Sequence, residues 1–429
     1  MKNITKFIII LIILALIGSG IYYWLYFVKD TNSNTDIVEN GEGTGFKPLN
    51  SNNAPRSNGN STVSTSTNNT NTKVENNNVS IPKLRQLSFS PIAGMYASTT
   101  KIKVQNSSTT IEKTIVRYVD RGTGHVYETN DIDSEIIKIS NTTLPKIYEA
   151  YWNKNLNKSI LRYLKDNTDT IVNFYSELRA IPNSTASSTT PFEIKGKYLA
   201  SDIKQIAVSP NEEKIFTWNI ESGKGIGYIS AFDEKNKTKV FDTPLNQVNI
   251  DWPETNTLTI TTKGSVFSSG YSYSINTKTS EMKKIIGNIR GLSVKMSNDA
   301  KQIIYSSTNN EIDTYLLNIK DGKTTNVIFK TLVDKCVWSK IRKDEIYCAV
   351  PVEIPDANYP DDWYKGNVSF IDQIWALNTT TGEVYLLANL LELSNQLIDA
   401  SNLVLDPKEN YLYFINKNDL NLWSLDLNQ

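Results

Sequence analysis

Short runs of alternating apolar and polar residues, separated by polar turns, recur along the chain from about residue 82 to its end. The segments IAVSPNEEKIFTWN (206–219), VKMSNDAKQIIYSS (294–307) and LVLDPKENYLYFIN (403–416) each read as a strand, a polar turn and a second strand. In YLYFINK, Leu412 and Phe414 fall on one side of a strand, while Tyr413 and Ile415 fall on the other. The pattern predicts β-strands that bury both faces.

The turns of these units return at a nearly constant interval. Measured between corresponding turn residues, the first three steps are 43, 45 and 41 residues, and the fourth is 68 because residues 351–372 are inserted. AYWNKNLNKSILRYL, from residue 150, fits the same register, and LSFSPIAGMYAS, from residue 87, fits it more loosely. The turn residues used are Asn211, Glu254, Asp299, Lys340 and Lys408.

A second strand–turn–strand follows most of these units, as in VRYVDRGTGHVYET, ISAFDEKNKTKVFDT and IWALNTTTGEVYLL. Four strands per period of about 43 residues is the signature of a β-propeller blade. We therefore predict an all-β fold, a propeller of about seven four-stranded blades, with six as the alternative. A pair of β-sandwiches is a second alternative, but it needs no such period. The last unit holds only three strands, so we expect residues 81–87 to supply the fourth and close the ring.

The turn segments of 206–219, 294–307 and 403–416 resemble the Ser-Pro-Asp-Gly core of TolB-type β-propeller repeats. The Asp-Gly pair is never complete here, being Asn211-Glu212, Asn298-Asp299 and Lys408-Glu409. The part of the chain after the amino-terminal segment also resembles uncharacterised single-anchor bacterial envelope proteins. These resemblances imply a propeller fold and an envelope location, and they imply no activity.

The amino-terminal residues predict a membrane anchor. Phe7–Val28 is a run of 22 residues without a charge, and a helix of this length spans roughly 33 Å, enough for the hydrocarbon core of a bilayer. The run is too long for a cleaved signal peptide, and its bulky Ile21–Trp24 stretch suits a membrane interface. Lys2 and Lys6 precede it and acidic residues follow it, so we expect residues 1–6 in the cytoplasm and the rest outside.

Residues 29–80 are rich in Asn, Ser and Thr. Such a segment has few large apolar side chains to offset its ordering entropy, so we predict a disordered stalk. The chain then divides into a cytoplasmic amino terminus (1–6), a transmembrane helix (7–28), the stalk (29–80) and an extracytoplasmic β-propeller domain (81–429). We expect one partner to be the membrane itself, through this single anchor.

Composition excludes several classes of function. The 45 Lys and Arg residues balance the 45 Asp and Glu residues, which gives no electrostatic case for binding nucleic acid. His125 is the single histidine, so a zinc site built on several histidines is impossible, and its turn position suggests no function. We expect no cofactor, no metal and no catalytic residue. The chain has no Gly-x-Ser-x-Gly motif and is too short for a propeller fused to a hydrolase of the prolyl oligopeptidase kind.

Cys336 and Cys348 lie on the two arms of one predicted hairpin. Pairing centred on residue 342 places them opposite each other, and an oxidising exterior favours a disulfide between them. A redox-active thiol pair is the alternative, although no Cys-x-x-Cys motif supports it.

The insertion after Cys348 is the most distinctive candidate for chemistry. Carboxylates beside aromatic rings offer hydrogen-bond acceptors and a stacking platform, as a glycan-binding cleft needs. A lid packed over the ring is the alternative, and a carboxylate pair could also hydrolyse glycosidic bonds. The candidate ligand-binding residues are Glu353, Asp356, Tyr359, Asp361, Asp362, Trp363 and Tyr364.

From these observations we expect a non-catalytic binding or scaffold module that recognises an envelope protein, peptide or glycan. The alternative is an envelope enzyme that acts on glycans through residues 353–364. A structural spacer without a specific site is a third possibility.

Overall fold

The computed structural model describes residues 82–103, 110–130, 135–165, 168, 170–182, 190–200 and 203–429. These residues form a β-propeller of seven blades, each a four-stranded antiparallel sheet. The predicted anchor at 7–28 and the stalk lie outside the described residues. Within the described ranges, no helix has both the length and the apolar character needed to cross a membrane.

The strands follow the chain in order. The first strand, β1 (Leu84–Gln86), belongs to the last blade. Blade 1 contains β2 (Ile92–Lys103), β3 (Thr110–Asp120), β4 (Val126–Asn130) and β5 (Ile137–Lys138). Blade 2 contains β6 (Ile147–Trp152), β7 (Lys158–Leu164), β8 (Ile171–Ala180) and β9 (Phe192–Tyr198). Blade 3 contains β10 (Ile203–Val208), β11 (Lys214–Glu221), β12 (Lys224–Ala231) and β13 (Thr238–Thr243).

Blade 4 contains β14 (Val248–Glu254), β15 (Thr257–Thr262), β16 (Ser269–Asn276) and β17 (Met282–Arg290). Blade 5 contains β18 (Ser293–Met296), β19 (Gln302–Thr308), β20 (Ile312–Asn318) and β21 (Thr324–Asn326). A 3-10 turn (Val333–Lys335) leads into blade 6, with β22 (Cys336–Trp338), β23 (Glu345–Pro351), helix α1 (Asp361–Lys365), β24 (Asp372–Asn378) and β25 (Val384–Asn389). Helix α2 (Leu390–Ser394) leads into blade 7, with β26 (Ala400–Leu405), β27 (Tyr411–Asn416) and β28 (Leu422–Asp426).

The ring is closed by strand β1, as predicted from the three-stranded last unit. β1 pairs with β28 in antiparallel register, with Leu84 opposite Leu425 and Gln86 opposite Trp423. The Leu87 side chain is 1% exposed and packs between blades 7 and 1. Residues from both ends of the described chain therefore share one sheet, and no blade lacks its fourth strand.

Both faces of the inner strands are buried, as the alternating pattern predicted. In β27, Leu412 and Phe414 pack into the core between blades 6 and 7. Tyr413 and Ile415, on the opposite face, pack into the core between blades 7 and 1. Sheet-on-sheet packing around the ring thus explains why these strands read as nearly continuous apolar runs.

Each recurrent strand–turn–strand segment forms the two innermost strands of one blade, such as β10–β11 and β26–β27. In these turns one non-glycine residue adopts positive φ: Glu212 at 60°, Ala300 at 57° and Glu409 at 54°. These are the positions at which the TolB-type motif has glycine. The alignment of Asn298-Asp299 with that Asp-Gly pair was wrong by one residue, because Ala300 takes the left-handed conformation.

The register assigned to blade 1 was also wrong. Ser88–Pro91 is the connection from β1 into β2, and not the turn between the first two strands of the blade. The segment VRYVDRGTGHVYET (116–129) contributes to β3, a turn and β4, which are the second and third strands of blade 1. The reason is that β2 and β3 are unusually long, at 12 and 11 residues, which displaces the period at this point.

Alternating connections give the propeller two distinct faces. We call "turn face" the side on which the first strand of each blade turns into the second, and the third into the fourth. We call "loop face" the side that carries the connections from second to third strand and from blade to blade. The insertion between β23 and β24 therefore lies on the loop face.

Candidate functional site

The insertion, residues 352–371, folds as a packed lid on the loop face. Tyr359 and Trp363 are 2% and 5% exposed, and they form one core with Phe370, Ile312 and Leu332. The ring centroids of Tyr359 and Phe370 are 5.5 Å apart, and those of Trp363 and Phe370 are 6.3 Å apart. These aromatic faces contact other rings of the protein, so they do not form an open stacking platform.

The two central carboxylates of the insertion, Asp361 and Asp362, hold this lid in place through hydrogen bonds. Asp361 accepts hydrogen bonds from the Ser265 hydroxyl (2.9 Å) and the Val266 backbone N–H (2.8 Å) of blade 4. Asp362 accepts from the Asn358 backbone N–H (2.9 Å) and the Asn367 amide (3.0 Å). The Asn358 N–H is the main reason why the pKa of Asp362 is lowered. The two carboxylates therefore bind different parts of the protein.

The remaining candidates of the insertion do not converge on one cleft. Glu353 and Asp356 are exposed, and Asp356 lines an outer groove of about 650 Å³ together with Tyr359. Tyr364 lines a different pocket, where its hydroxyl donates to the Asp334 carboxylate at 3.1 Å. Burial, followed by the charge of Asp334, raises the pKa of Tyr364 well above its ordinary value.

Beneath the lid lies a buried charge cluster that sequence reasoning missed. Lys335, Asp372 and Asp399 are all fully buried, and the Lys335 ammonium bonds Asp399 and lies 2.7 Å from Asp372 Oδ2. Asp399 also accepts from the Trp363 indole N–H at 2.9 Å and from the Phe370 backbone N–H at 3.1 Å. The cluster ties the lid to blades 6 and 7, and it has no opening to solvent.

A central cavity of about 650 Å³, lined by residues of all seven blades, opens on the turn face. The first strands of the blades and the turns that follow them build its wall. Every blade contributes at least one charged or polar side chain, in chain order Tyr96, Lys154, Glu212, Asp251, Lys295, Lys340 and Glu409. Ligand sites commonly have this volume and this mixture of apolar wall and few polar groups.

The turn motif positions the acidic side chains at this cavity. Glu212 and Glu409 occupy the left-handed turn positions of blades 3 and 7. Glu409 is 3% exposed and accepts hydrogen bonds from the Ser339 hydroxyl (2.6 Å) and the Lys340 backbone N–H (2.6 Å). Glu212 receives the Lys340 ammonium at 2.8 Å. Burial, and then the charge of Glu212, raises the pKa of Tyr96 above its ordinary range.

A separate side pocket of about 460 Å³ lies between blades 4 and 5. Asp251 and Lys295 line both this pocket and the central cavity. Asp334 and Tyr364 also line the side pocket, so one candidate residue of the insertion belongs to it. Sequence reasoning singled out Tyr364 but not the cavity, because residues from seven blades that are far apart in sequence form it.

Cys336 and Cys348 lie directly opposite each other in the β22–β23 ladder, and their sulfur atoms are 2.08 Å apart in a disulfide. Cys336 belongs to the cavity wall. The bond lies between the two inner strands of blade 6, where it stiffens the wall near Lys340.

His125 lies in the turn between β3 and β4. The His125 Nε2 atom lies 3.2 Å from the Thr143 hydroxyl, and partial burial lowers the pKa of the imidazole. Among the residues that the structure describes, no group of three or more His, Cys, Asp and Glu side chains could hold a metal ion.

Comparison with known proteins concerns the fold alone. No protein-family model matches the chain, and no curated protein matches it. Oligogalacturonate lyase from Vibrio parahaemolyticus is 8% identical, with 79% of this chain and 98% of that chain covered, at a TM-score of 0.47. TolB from Acinetobacter baumannii is 11% identical, with 78% and 80% covered, at 0.39. The Pyrococcus horikoshii acylaminoacyl peptidase is 14% identical, with 62% and 42% covered, at 0.40.

The chain is a seven-bladed propeller with TolB among its structural relatives. The strand order confirms the predicted propeller of seven four-stranded blades. The similar structures include enzymes as well as TolB, and at these identities they bear on the fold and not on activity.

Proposed function

We propose that this protein is a membrane-tethered, extracytoplasmic binding module whose ligand occupies the central cavity on the turn face. The observation that carries the proposal is the convergence of polar side chains from all seven blades on one concave space of about 650 Å³. The uncharged run Phe7–Val28 supports the tether. The proposed ligand is a segment of an envelope protein, a peptide or a glycan.

The proposed role is non-catalytic because the acidic groups at the cavity already have structural partners. Glu409 and Asp406 are buried. Asp406 accepts a hydrogen bond from the Tyr411 backbone N–H of its own blade, and Glu409 accepts one from the Lys340 backbone N–H of blade 6. Asp251 accepts from the backbone N–H of Trp252. Carboxylates held in this way fix the wall and are not poised as a pair for proton transfer.

Site-specific photo-cross-linking tests the proposal with the full chain in membranes. A photoreactive phenylalanine at Asn211, which is exposed at the cavity mouth, should capture the ligand. The matched control is the same group at Lys278, an exposed residue of the outer turn in blade 4. Equal labelling at both positions, or none at Asn211, contradicts the proposal. Cleaved products in place of intact adducts contradict the non-catalytic role.

A further inference from the structure

The buried charge cluster under the lid holds an amine between two carboxyl groups. The side chains of Lys335, Asp372 and Asp399 have no exposed surface. The Lys335 Nζ atom hydrogen-bonds Asp399 Oδ1 and lies 2.7 Å from Asp372 Oδ2. Burial of ionised groups costs free energy that their mutual attraction only partly offsets. A neutral amide between the amine and one carboxyl group would remove that cost.

Two aromatic side chains of the lid enclose the amine. The ring centroids of Trp363 and Phe370 lie 5.3 Å and 4.9 Å from Lys335 Nζ, and both rings are buried. A site of low polarity favours the transfer of a proton from an ammonium group to a carboxylate, because the products are neutral. The neutral amine has the free electron pair that nucleophilic attack on a carbonyl carbon requires.

The two oxygen atoms of Asp399 have different environments. Oδ2 accepts hydrogen bonds from the Trp363 indole N–H at 2.9 Å and from the Phe370 backbone N–H at 3.1 Å. The Ser369 hydroxyl donates to the same oxygen at 3.3 Å, whereas Oδ1 faces the amine. Donors that point at one carbonyl oxygen stabilise the negative charge that develops on it during nucleophilic attack. Asp399 is therefore arranged as the acceptor of the nucleophile.

Asp372 lies where it can carry protons between the other two groups. Its Oδ2 atom accepts from the Ala400 backbone N–H at 2.6 Å, beside the Lys335 ammonium. Its Oδ1 atom is buried and has no hydrogen-bond partner among the residues that the structure describes. Burial raises the pKa of Asp372 to about 6, so this carboxyl group can take up and release a proton near neutral pH.

We propose that Lys335 and Asp399 form an intramolecular amide cross-link, with Asp372 as the proton carrier. The Lys335 ammonium gives a proton to Asp372, and the amine then attacks Asp399 Cγ, which forms the C–N bond and moves the carbonyl electron pair onto Oδ2. When the carbonyl forms again, the bond between Cγ and Oδ1 breaks. Oδ1 leaves as water with the two protons that the nitrogen has lost, and Asp372 returns to its initial state.

This cross-link would join the connection into blade 6 to the connection into blade 7. The two residues are 64 positions apart, and the chain between them contains blade 6 and its lid. A covalent link of this kind reduces the entropy of the unfolded chain and so stabilises the fold. The inference goes beyond the proposed function and is independent of any ligand at the central cavity.

The test is the intact mass of the full chain, purified in detergent micelles and denatured without reductant. The protein should be lighter, by one water molecule, than the chain with its single disulfide. Proteolysis should then yield two peptides joined through Lys335 and Asp399. Lys335→Arg keeps the positive charge without the primary amine and should show no loss of water. Lys284→Arg, at an exposed lysine of β17, is the matched control and should lose water as the wild type does.

A second variant tests the role of Asp372. In samples taken at intervals after cell-free synthesis, Asp372→Asn should form the cross-link about a hundredfold more slowly than the wild type, as expected for loss of a general acid–base group. An unchanged rate, with thermal unfolding like that of the wild type, overturns this role.

The cross-link itself is tested by the wild type alone, so the inference can fail even where a variant does not fold. A wild-type mass equal to that of the disulfide-bonded chain overturns it. A loss of water that persists in Lys335→Arg, or that maps to another pair such as Lys335 and Asp372, also overturns it. Photo-labelling at Asn211 does not depend on these results, so failure of the inference is distinct from failure of the proposed function.

Discussion

The Lys340 ammonium of blade 6 lies 2.8 Å from the Glu212 carboxylate of blade 3, across the mouth of the central cavity. The two residues are 128 positions apart in sequence, and two blades lie between their sheets on the shorter way around the ring. The Lys340 side chain is 62% exposed, whereas that of Glu212 is 12% exposed. An ion pair in this position spans the opening through which a ligand would enter.

Removing this ion pair should affect binding more than stability. We expect Lys340→Met to lower the free energy of unfolding by less than about 1 kcal/mol, because solvent screens an exposed ion pair. Urea unfolding measures this change in the free energy of unfolding. Photo-labelling at Asn211 in the same variant should increase, because the ion pair no longer spans the opening of the cavity. A loss of several kcal/mol in the free energy of unfolding would instead show that the ion pair contributes mainly to the stability of the fold.

Lowering the pH should stabilise the folded protein through Asp372, which belongs to the buried charge cluster under the lid. Burial, partly offset by the charge of Lys335, raises the pKa of Asp372 to about 6, above its ordinary value of 3.8. A folded-state pKa above the unfolded value means that the native state holds the proton more tightly. The contribution of this group is therefore complete below about pH 3.8 and is lost as the pH rises to about 6.

Asp372→Asn removes this titration while it keeps the shape of the side chain, and Lys335 remains paired with Asp399. The free energy of unfolding of the variant should fall less than that of the wild type between pH 4 and pH 6, as urea titrations would show. Asp362→Asn is the control of opposite sign, since the pKa of Asp362 is lowered and its contribution is lost as the pH falls. Identical pH profiles for Asp372→Asn and the wild type would rule out this account.

Loss of the Cys336–Cys348 disulfide should destabilise the propeller. The bond closes a loop with a sequence separation of 12, for which the chain-entropy model gives roughly 3 kcal/mol. We expect the double variant Cys336→Ala, Cys348→Ala to lose about this much in urea unfolding. The wild type should take up a thiol-alkylating reagent only after reduction. Alkylation of both cysteines without reductant would show that the bond does not form.

The insertion should behave as a lid and not as a ligand site. Trp363→Ala should cost about 3–5 kcal/mol in the free energy of unfolding, because it empties a buried core and removes a donor to Asp399. Asp361→Asn combined with Asp362→Asn should destabilise less and should leave labelling at Asn211 unchanged. If that double variant lost labelling at Asn211 while its unfolding stayed unchanged, the result would indicate that the insertion binds the ligand.

The sequence by itself determined the local elements and their repetition. Alternating apolar residues such as Leu412 and Tyr413 predicted strands that bury both faces, and the period of about 43 residues predicted four strands per blade. The missing fourth strand of the last unit predicted closure by residues 81–87, and β1 provides it. These features could be predicted because strand periodicity and turn spacing are local properties of the chain.

The tertiary structure alone decided which residues meet. Lys335 and Asp399 lie in the connections that lead into blades 6 and 7, whereas Asp372 begins β24. No local sequence pattern marks an ion cluster that burial creates. Acidic and aromatic residues crowded into 353–364 suggested a cleft, but packing turned Tyr359 and Trp363 inward and engaged Asp361 with blade 4. The central cavity likewise exists only once the ring has closed. Its wall takes residues from all seven blades, because circular closure brings together positions that the sequence keeps far apart.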